Sequence, residues 1–377
     1  MPSLSRLVAA ALLLSLPARA QVGPWAQHSI DSNPSSSLHM ALGDLDGDGD
    51  ADLLNGAAWY ENRPAGFQRR FLTSSSHGRE LHDLDRDGDL DVAGTDGPNS
   101  AVYWLENDGG APPTFAQHVI ATSLLHLHNG AGARVGDLDS DGDPDLVAGE
   151  VVRGYLWWHE NLAGDLSSWV ARPIWDGPVL NGFELADLDG DGDPDVLASA
   201  TTFQRPGQGY TWYENRPGLA WGRHPLGGRG NEEERQARPV DLDGDGDTDV
   251  AFTTTSFDGT SAVGWFERRG PRPQFQAHVL ATTIAPNRFG RFAVADLDGD
   301  GAQDLARTSG RGIGWSRNLG GGASWADHAI LLDTLHNTPA VEAADLDGDG
   351  DLDLAARLDR LTGGSSVRSL AWFENPR

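Results

Sequence analysis

Seven short stretches of alternating aspartate carry the clearest chemistry in the sequence. The first, Asp44 to Asp52, reads DLDGDGDAD, and copies begin at Asp83 (DLDRDGDLD), Asp137 (DLDSDGDPD), Asp187 (DLDGDGDPD), Asp241 (DLDGDGDTD), Asp296 (DLDGDGAQD) and Asp345 (DLDGDGDLD). Each has the form D-x-D-x-D-G-x-x-D, with carboxylates at positions 1, 3, 5 and 9 and glycine at position 6, where the turn is tight. Short carboxylates alternating along such a turn can converge on one hard cation. Calcium takes six to eight oxygen ligands, whereas magnesium prefers to keep its waters. The expected ligand sets are Asp44, Asp46, Asp48, Asp50 and Asp52; Asp83, Asp85, Asp87, Asp89 and Asp91; Asp137, Asp139, Asp141, Asp143 and Asp145; Asp187, Asp189, Asp191, Asp193 and Asp195; Asp241, Asp243, Asp245, Asp247 and Asp249; Asp296, Asp298, Asp300, Ala302 and Asp304; and Asp345, Asp347, Asp349, Asp351 and Asp353. Position 7 enters through its backbone carbonyl, so Ala302 is compatible with a site.

Up to seven calcium ions would then be structural, because four or five aspartates within nine residues repel one another when bare. An EF-hand would require glutamate at position 12, but those positions hold Asn55, Gly94, Ala148, Ala198, Phe252, Arg307 and Ala356, and strand-like sequence follows. The plainer alternative is a set of solvated Asp-Gly turns. Leucine at position 2 of all seven copies (Leu45, Leu84, Leu138, Leu188, Leu242, Leu297, Leu346) anchors one side of each loop in a core.

Two further landmarks accompany every loop. A tryptophan segment follows it: WYEN at Trp59, WLEN at Trp104, WHEN at Trp158, WYEN at Trp212, WFER at Trp265, WSRN at Trp315 and WFEN at Trp372. Before each loop an aromatic residue is followed three positions later by a base: Trp25/His28, Phe67/Arg70, Phe115/His118, Trp169/Arg172, Trp221/His224, Phe275/His278 and Trp325/His328. The 357 residues after position 20 divide into seven units of 51, close to the ~40–50 residues of a four-stranded propeller blade. Apolar residues flank each loop in strand-like runs, and Gly, Pro, Asn and Ser lie between the landmarks. The spacing predicts an all-β, seven-bladed β-propeller of four-stranded blades. The chain opens on an aromatic-base segment and ends on a tryptophan segment, so the N-terminal strand is expected to complete the last blade and remove two open edges.

The chain has 377 residues, with 28 basic against 56 acidic side chains, a formal charge of −28, and all its basic residues are arginine. So acidic a surface argues against nucleic acid and anionic membranes. The absence of cysteine excludes disulfides, zinc-cysteine sites and thiolate catalysis. Residues 1 to 20 read as a secretory signal peptide: Arg6, an apolar run from Leu7 to Leu16, and Ala18-Arg19-Ala20 before the expected cleavage after Ala20. The run is about half of the ~20 apolar residues that a spanning helix needs, and no later stretch is apolar enough to insert in a membrane. The expectation is a secreted monomer, periplasmic or extracellular, with residues 21–377 forming the propeller.

These motifs resemble the FG-GAP and VCBS repeats of integrin-α-like propellers over essentially all of residues 21–377. Phe289-Gly290 before Phe292-Ala293-Val294-Ala295 shows the first half of the name, while the GAP half is poorly kept (Asn55-Gly56-Ala57). The resemblance implies that each acidic loop joins the first two strands of a blade and binds calcium. It leaves the function open, because related propellers serve as adhesion modules, lectins and parts of sugar-processing enzymes.

A ligand is expected on the face opposite the loops, where crossovers join the blades around the channel. Its candidate residues are His39, His82, His126, His128, Arg288, Arg291, His336 and Asn337 of the crossovers, with Arg134, Glu184 and Arg238 from the innermost strands. Counting three residues back from each loop gives a ring of Ala41, Glu80, Arg134, Glu184, Arg238, Ala293 and Glu342, which either lines the channel mouth for a ligand or closes it with internal salt bridges. The repeated histidines and the seven landmark tryptophans read as structural, whereas Trp157, Trp175 and Tyr210 fall outside the repeat and are candidate platforms for sugar rings. The leading expectation is a calcium-binding module that recognises a glycan or an extracellular protein. The alternatives are a sugar-processing enzyme of the polysaccharide lyase or sugar dehydratase type, working through histidine and arginine or glutamate of the same face, and a purely structural module.

Overall fold

The computed structural model describes residues 24–376 apart from 36, 38, 73–76, 97–100, 123–131, 150–153, 163, 178–179, 201–208, 228–231, 257–260, 271–272, 284–289, 310–311, 333–335 and 363–364. For strand residues 77–79, 176, 232–235, 256, 282–283, 309, 332, 336–338, 361–362 and 365–366 it describes the backbone alone.

All regular structure among the described residues is strand, arranged as seven antiparallel sheets of four strands. Blade one runs Met40–Gly43, Asp52–Asn55, Ala58–Glu61 and Gln68–Phe71 from the axis outward, and the next five blades repeat this order. The acidic loop always joins the innermost strand to the second. In the last blade the outermost strand is Ala26–Asp31 from the start of the chain, paired with the C-terminal strand so that Ala26 faces Glu374 and His28 faces Trp372. The ring therefore closes as the order of the landmarks predicts.

Burial follows from the architecture. A middle strand is covered on both faces by neighbouring blades, so its residues are buried in continuous runs: Asp91 to Asp96 is buried throughout, as are Ala101 to Leu105. The outermost strand of the same blade, Phe115–Ala121, is largely exposed. The core is distributed between blades. Leu84, Ala93 and Trp104 of blade two pack against Ala133, Leu146 and Ala148 of blade three. Leu53 and Tyr60 of blade one likewise pack against Ala355 and Leu370 of blade seven, which seals the ring. The seven position-2 leucines are all buried, as their repetition predicts. Each fully buried leucine contributes roughly 1.5–3 kcal/mol.

The asparagine ending five of the tryptophan segments joins blade to blade. The side-chain amide of Asn107 donates to the carbonyl of Leu45 in the preceding blade (2.9 Å) and to Leu90 O in its own (3.1 Å). Asn62, Asn215, Asn318 and Asn375 reach Leu346, Leu138, Leu242 and Leu297 in the same way, at 2.6–2.8 Å. Blade five has Arg268 at this place, and its guanidinium reaches back to Asp189 O at 2.5 Å. Between blades two and three the tie comes from the opposite side, where Arg86 donates to Gly142 O and pairs with Asp143.

A buried acceptor that loses its donor costs about 1–3 kcal/mol. Asn107→Ala strands two carbonyls and should destabilise the chain by roughly 2–4 kcal/mol in urea titrations at fixed calcium. Asn161→Ala should cost less than half of that, since the side-chain amide bond described for Asn161 is a single 3.4 Å contact to Pro144 O.

Candidate metal centres and channel mouth

Each acidic loop folds onto the carboxylate of its first aspartate. Asp44 Oδ1 accepts from the amides of Gly47 (2.8 Å) and Asp48 (3.2 Å), and its Oδ2 accepts from Gly49 (2.9 Å). The bonds from positions 4 and 6 recur on Asp187, Asp241 and Asp345. Wrapping the chain this way puts position 4 as well as position 6 in the left-handed region, at φ 73° for Gly47 and 96° for Gly49. Arg86 (φ 64°) and Ser140 (φ 59°) hold position 4 without being glycine, a strain of about 1–2 kcal/mol each.

The ninth aspartate ties the loop to the blade. Asp52 Oδ2 accepts from Leu45 N (3.1 Å) and its Oδ1 from Asn62 N (2.7 Å), so one carboxylate joins the start of the loop to the end of the tryptophan segment. Both bonds recur in the other six blades, with Arg268 N replacing asparagine in blade five. These aspartates are at most 1% exposed. Burial outweighs the two amide bonds and pushes Asp52, Asp195, Asp249 and Asp304 up to about 7, and Asp91, Asp145 and Asp353 up to about 6.

Position 3 is under similar pressure. Burial, with repulsion from the position-5 carboxylate, raises Asp46, Asp85, Asp139, Asp189, Asp243 and Asp347. Asp46 Oδ1, Asp83 Oδ1 and Asp137 Oδ1 are buried with no hydrogen-bond partner. One oxygen each of Asp44, Asp46 and Asp48 lies within 4.8 Å of the others, and so do those of Asp83, Asp85 and Asp91, with matching trios in loops three to five. Convergent, oxygen-only, partly desolvated donors fit a hard divalent cation.

The repeated bases lie elsewhere, on the outermost strands, and are structural. His28, His118, His224 and His278 stack on Trp372, Trp104, Trp212 and Trp265 at centroid distances of 4.3–4.7 Å, and His328 lies tilted over Trp315 at 4.8 Å. Arg70 and Arg172 cover Trp59 and Trp158 in the other two blades. In six blades the glutamate of the tryptophan segment meets this base, as Glu374 does His28 at 2.9 Å and Glu214 does His224 at 2.7 Å.

At the axis the expected ring forms and is largely consumed by its own salt bridges. Arg134 grips Glu184 through Nε (2.6 Å) and Nη2 (2.9 Å) and stands 3.4 Å from Glu80, while Arg238 pairs with Glu342 at 2.5 Å. Burial, only partly offset by Arg134, pushes Glu80 up to about 7. These side chains line a cavity of about 240 Å³ with His39, Gln236 and Arg291. Arg291 donates to His39 Nε2 at 3.1 Å, and burial together with the neighbouring Arg238 lowers its guanidinium to about 10.

Of the expected ligand residues, the mouth brings together His39, Arg134, Glu184, Arg238 and Arg291. His82 is not with them. It ends an innermost strand, next to Asp83 and opposite Asp91, and because these strands run from the crossovers to the acidic loops it lies at the loop face. His336 and Asn337 begin the innermost strand of blade seven, opposite Arg360 and Asp359, at the crossover end. His126, His128 and Arg288 lie outside the described residues. Tyr210 is core rather than a sugar platform: it is 2% exposed, packs on Phe252 and Phe266, and donates its hydroxyl to Thr253 O. Trp175 packs between blades three and four against Tyr213 under Arg223, and Trp157 is half-buried opposite Pro173. Sequence reasoning gave no role to the segment-ending asparagines, although the repetition of asparagine after W-x-E was available as a signal; Glu80 stands where the expected ring puts it.

The molecule is thus a seven-bladed propeller with an acidic loop between the two inner strands of every blade. The chain belongs to the FG-GAP-like repeat family, whose repeats match residues 83–148, 137–198, 241–307 and 296–356. No curated protein matches it in sequence. Among solved structures it is similar to an Agrocybe aegerita lectin that recognises non-reducing terminal N-acetylglucosamine, at 18% identity over 89% of this chain and 85% of the lectin with a TM-score of 0.54. BBS1N, in complex with ARL6DN, is 12% identical over 94% of this chain and 97% of its own, with TM-scores of 0.55 in a lead-soaked crystal and 0.58 in a mercury-soaked one. At these identities the likeness is one of fold. No helix among the described residues is long and apolar enough to cross a membrane.

The raised ninth aspartates set the pH response of the metal-free chain. The folded state holds protons on them that the unfolded state has released, so between about pH 4 and 7 stability falls as pH rises. The metal-stripped chain should therefore melt higher at pH 5 than at pH 7.5, as followed by circular dichroism. A higher melt at pH 7.5 would contradict the assignment.

Proposed function

We propose that the chain is a secreted binding propeller that holds calcium in its acidic loops and takes a glycan or an extracellular protein at its crossover face. The charged n-region, apolar run and Ala18-Arg19-Ala20 site of residues 1–20 support export, with cleavage after Ala20. The aspartates at positions 1, 3, 5 and 9 would hold the ion, with the position-7 carbonyl beside them. Calcium supplies positive charge where buried carboxylates otherwise repel. The buried, partnerless oxygens of Asp46, Asp83 and Asp137 support this reading.

One observation carries the binding reading. The channel mouth is a cavity of about 240 Å³ walled mostly by charged side chains, and in it the hydrogen bond described for Arg291 goes to His39, with Glu342 and Glu184 as electrostatic neighbours. A guanidinium held this way suits an acidic sugar or an acidic protein side chain. That the similar lectin recognises a sugar and BBS1N is bound to a protein partner agrees with recognition as the use of this fold. A second reading, a sugar-processing enzyme, draws on Glu80, which burial brings to about 7 and so into the range of a general acid or base. Loss of turnover of a polysaccharide in Glu80→Gln, with an unchanged melt, would favour that reading.

If each loop binds at ~10⁻⁴ M, ~1 mM calcium contributes roughly 1.4 kcal/mol per site and about 10 kcal/mol over seven. Chelation should therefore lower the melting temperature steeply, and an unchanged melt would reject the calcium reading. On a glycan array with calcium, Arg291→Ala should bind the best ligand at least ~10-fold more weakly at an unchanged melting temperature. Equal binding would move the site away from the mouth.

A further inference from the structure

We propose that the sixth loop carries its own cation: the Arg317 guanidinium sits among the carboxylates where the other loops would take calcium, so the protein binds six ions rather than seven. This rests on the calcium reading above. Arg317 occupies the place in the tryptophan segment that is glutamate in the other six blades. Its Nε lies 2.5 Å from Asp298 Oδ2 and its Nη2 lies 3.1 Å from Asp300 Oδ2. These are positions 3 and 5 of the loop, both ligand positions. The contact is well shielded, with the Asp298 side chain only 5% exposed and Arg317 25% exposed.

The loop keeps its shape. Asp296 still accepts from the amides of Asp300 (3.0 Å) and Gly301 (2.8 Å), and Ala302 N still donates to Asp300 Oδ1 (3.0 Å). What differs is charge. The other loops hold five aspartates each, a formal −5, or −5 + 1 = −4 in loop two with Arg86 at position 4, whereas loop six holds four and gains Arg317, giving −4 + 1 = −3. In the other blades the glutamate adds to the repulsion that raises the position-3 aspartate, as Glu61 does for Asp46 and Glu214 for Asp189. Calcium affinity follows the charge and count of its ligands, and here an ion must first displace a shielded guanidinium.

Other arginines reach acidic loops without this consequence. Arg268 pairs with Asp247 and Arg86 with Asp143. Both partners are at position 7, where the backbone carbonyl rather than the side chain would face the ion.

The test is a count of calcium per chain by native mass spectrometry, on purified protein stripped of metal and re-equilibrated at 1 mM calcium. Six ions are expected, rising to seven in Arg317→Glu, which restores the residue of the other blades. Because that variant can fail to fold, a second arm removes carboxylates instead. The double substitution Asp298→Asn, Asp300→Asn should leave six ions, whereas Asp46→Asn, Asp48→Asn in loop one should leave five. Seven ions in the unaltered protein, six in folded Arg317→Glu, or five after the loop-six substitutions would overturn the proposal. A count of zero would instead overturn the calcium reading on which it rests.

Discussion

The two bonds made by each ninth aspartate are the constraint on which the propeller depends. A single buried carboxylate accepts the amide that starts an acidic loop and the amide that ends a tryptophan segment, so the second strand of the blade is pinned to the loop and to the third strand together. The same carboxylate belongs to the cluster that would face an ion, as Asp91 does beside Asp83 and Asp85. Loop charge and blade integrity are therefore one problem. Replacing the aspartate would lose the ties, and keeping it charged and bare sets several carboxylates against one another in a partly desolvated turn.

Much of this was legible because it repeats. Seven copies of three landmarks define the blade count, and the unpaired first and last landmarks define how the ring closes. The repeated histidine three residues after an aromatic reads as structural because its place recurs, and each does cover a landmark tryptophan, as the arginines do in the other two blades. Other features were hidden because they depend on what lies across a blade boundary. The asparagine amide reaches a carbonyl some 62 residues away in Asn107 and 284 in Asn62, distances no local pattern exposes. Tyr210 stands outside the repeat in sequence yet fills core, since an irregular residue on a middle strand is covered from both sides whatever its type. His82 was placed with the crossovers by its neighbours in sequence, whereas strand direction carries it to the other face.

The channel ring illustrates how a charged core can be selective without being strongly stabilising. Its pairs cross blades: Arg134 of blade three meets Glu184 of blade four and Glu80 of blade two, and Arg238 of blade five meets Glu342 of blade seven. Desolvation consumes much of what such pairs gain, so their contribution lies in fixing which blades meet around the axis. Arg291 departs from this matched set: its described hydrogen bond goes to His39, while Glu342 and Glu184 act on it only through space.

Ring closure has a consequence for biosynthesis. The strand Ala26–Asp31 is made before any innermost strand, yet its partner, Ser365–Glu374, follows far behind it, with His28 and Glu374 lying 346 residues apart. Contacts that span almost the whole sequence form slowly, because a long loop must be drawn in before any bond repays it. Until Ser365–Glu374 has been made, the nascent chain holds an unclosed arc with raw sheet margins, and its exposure to misassembly is set by the time needed to translate the remaining blades.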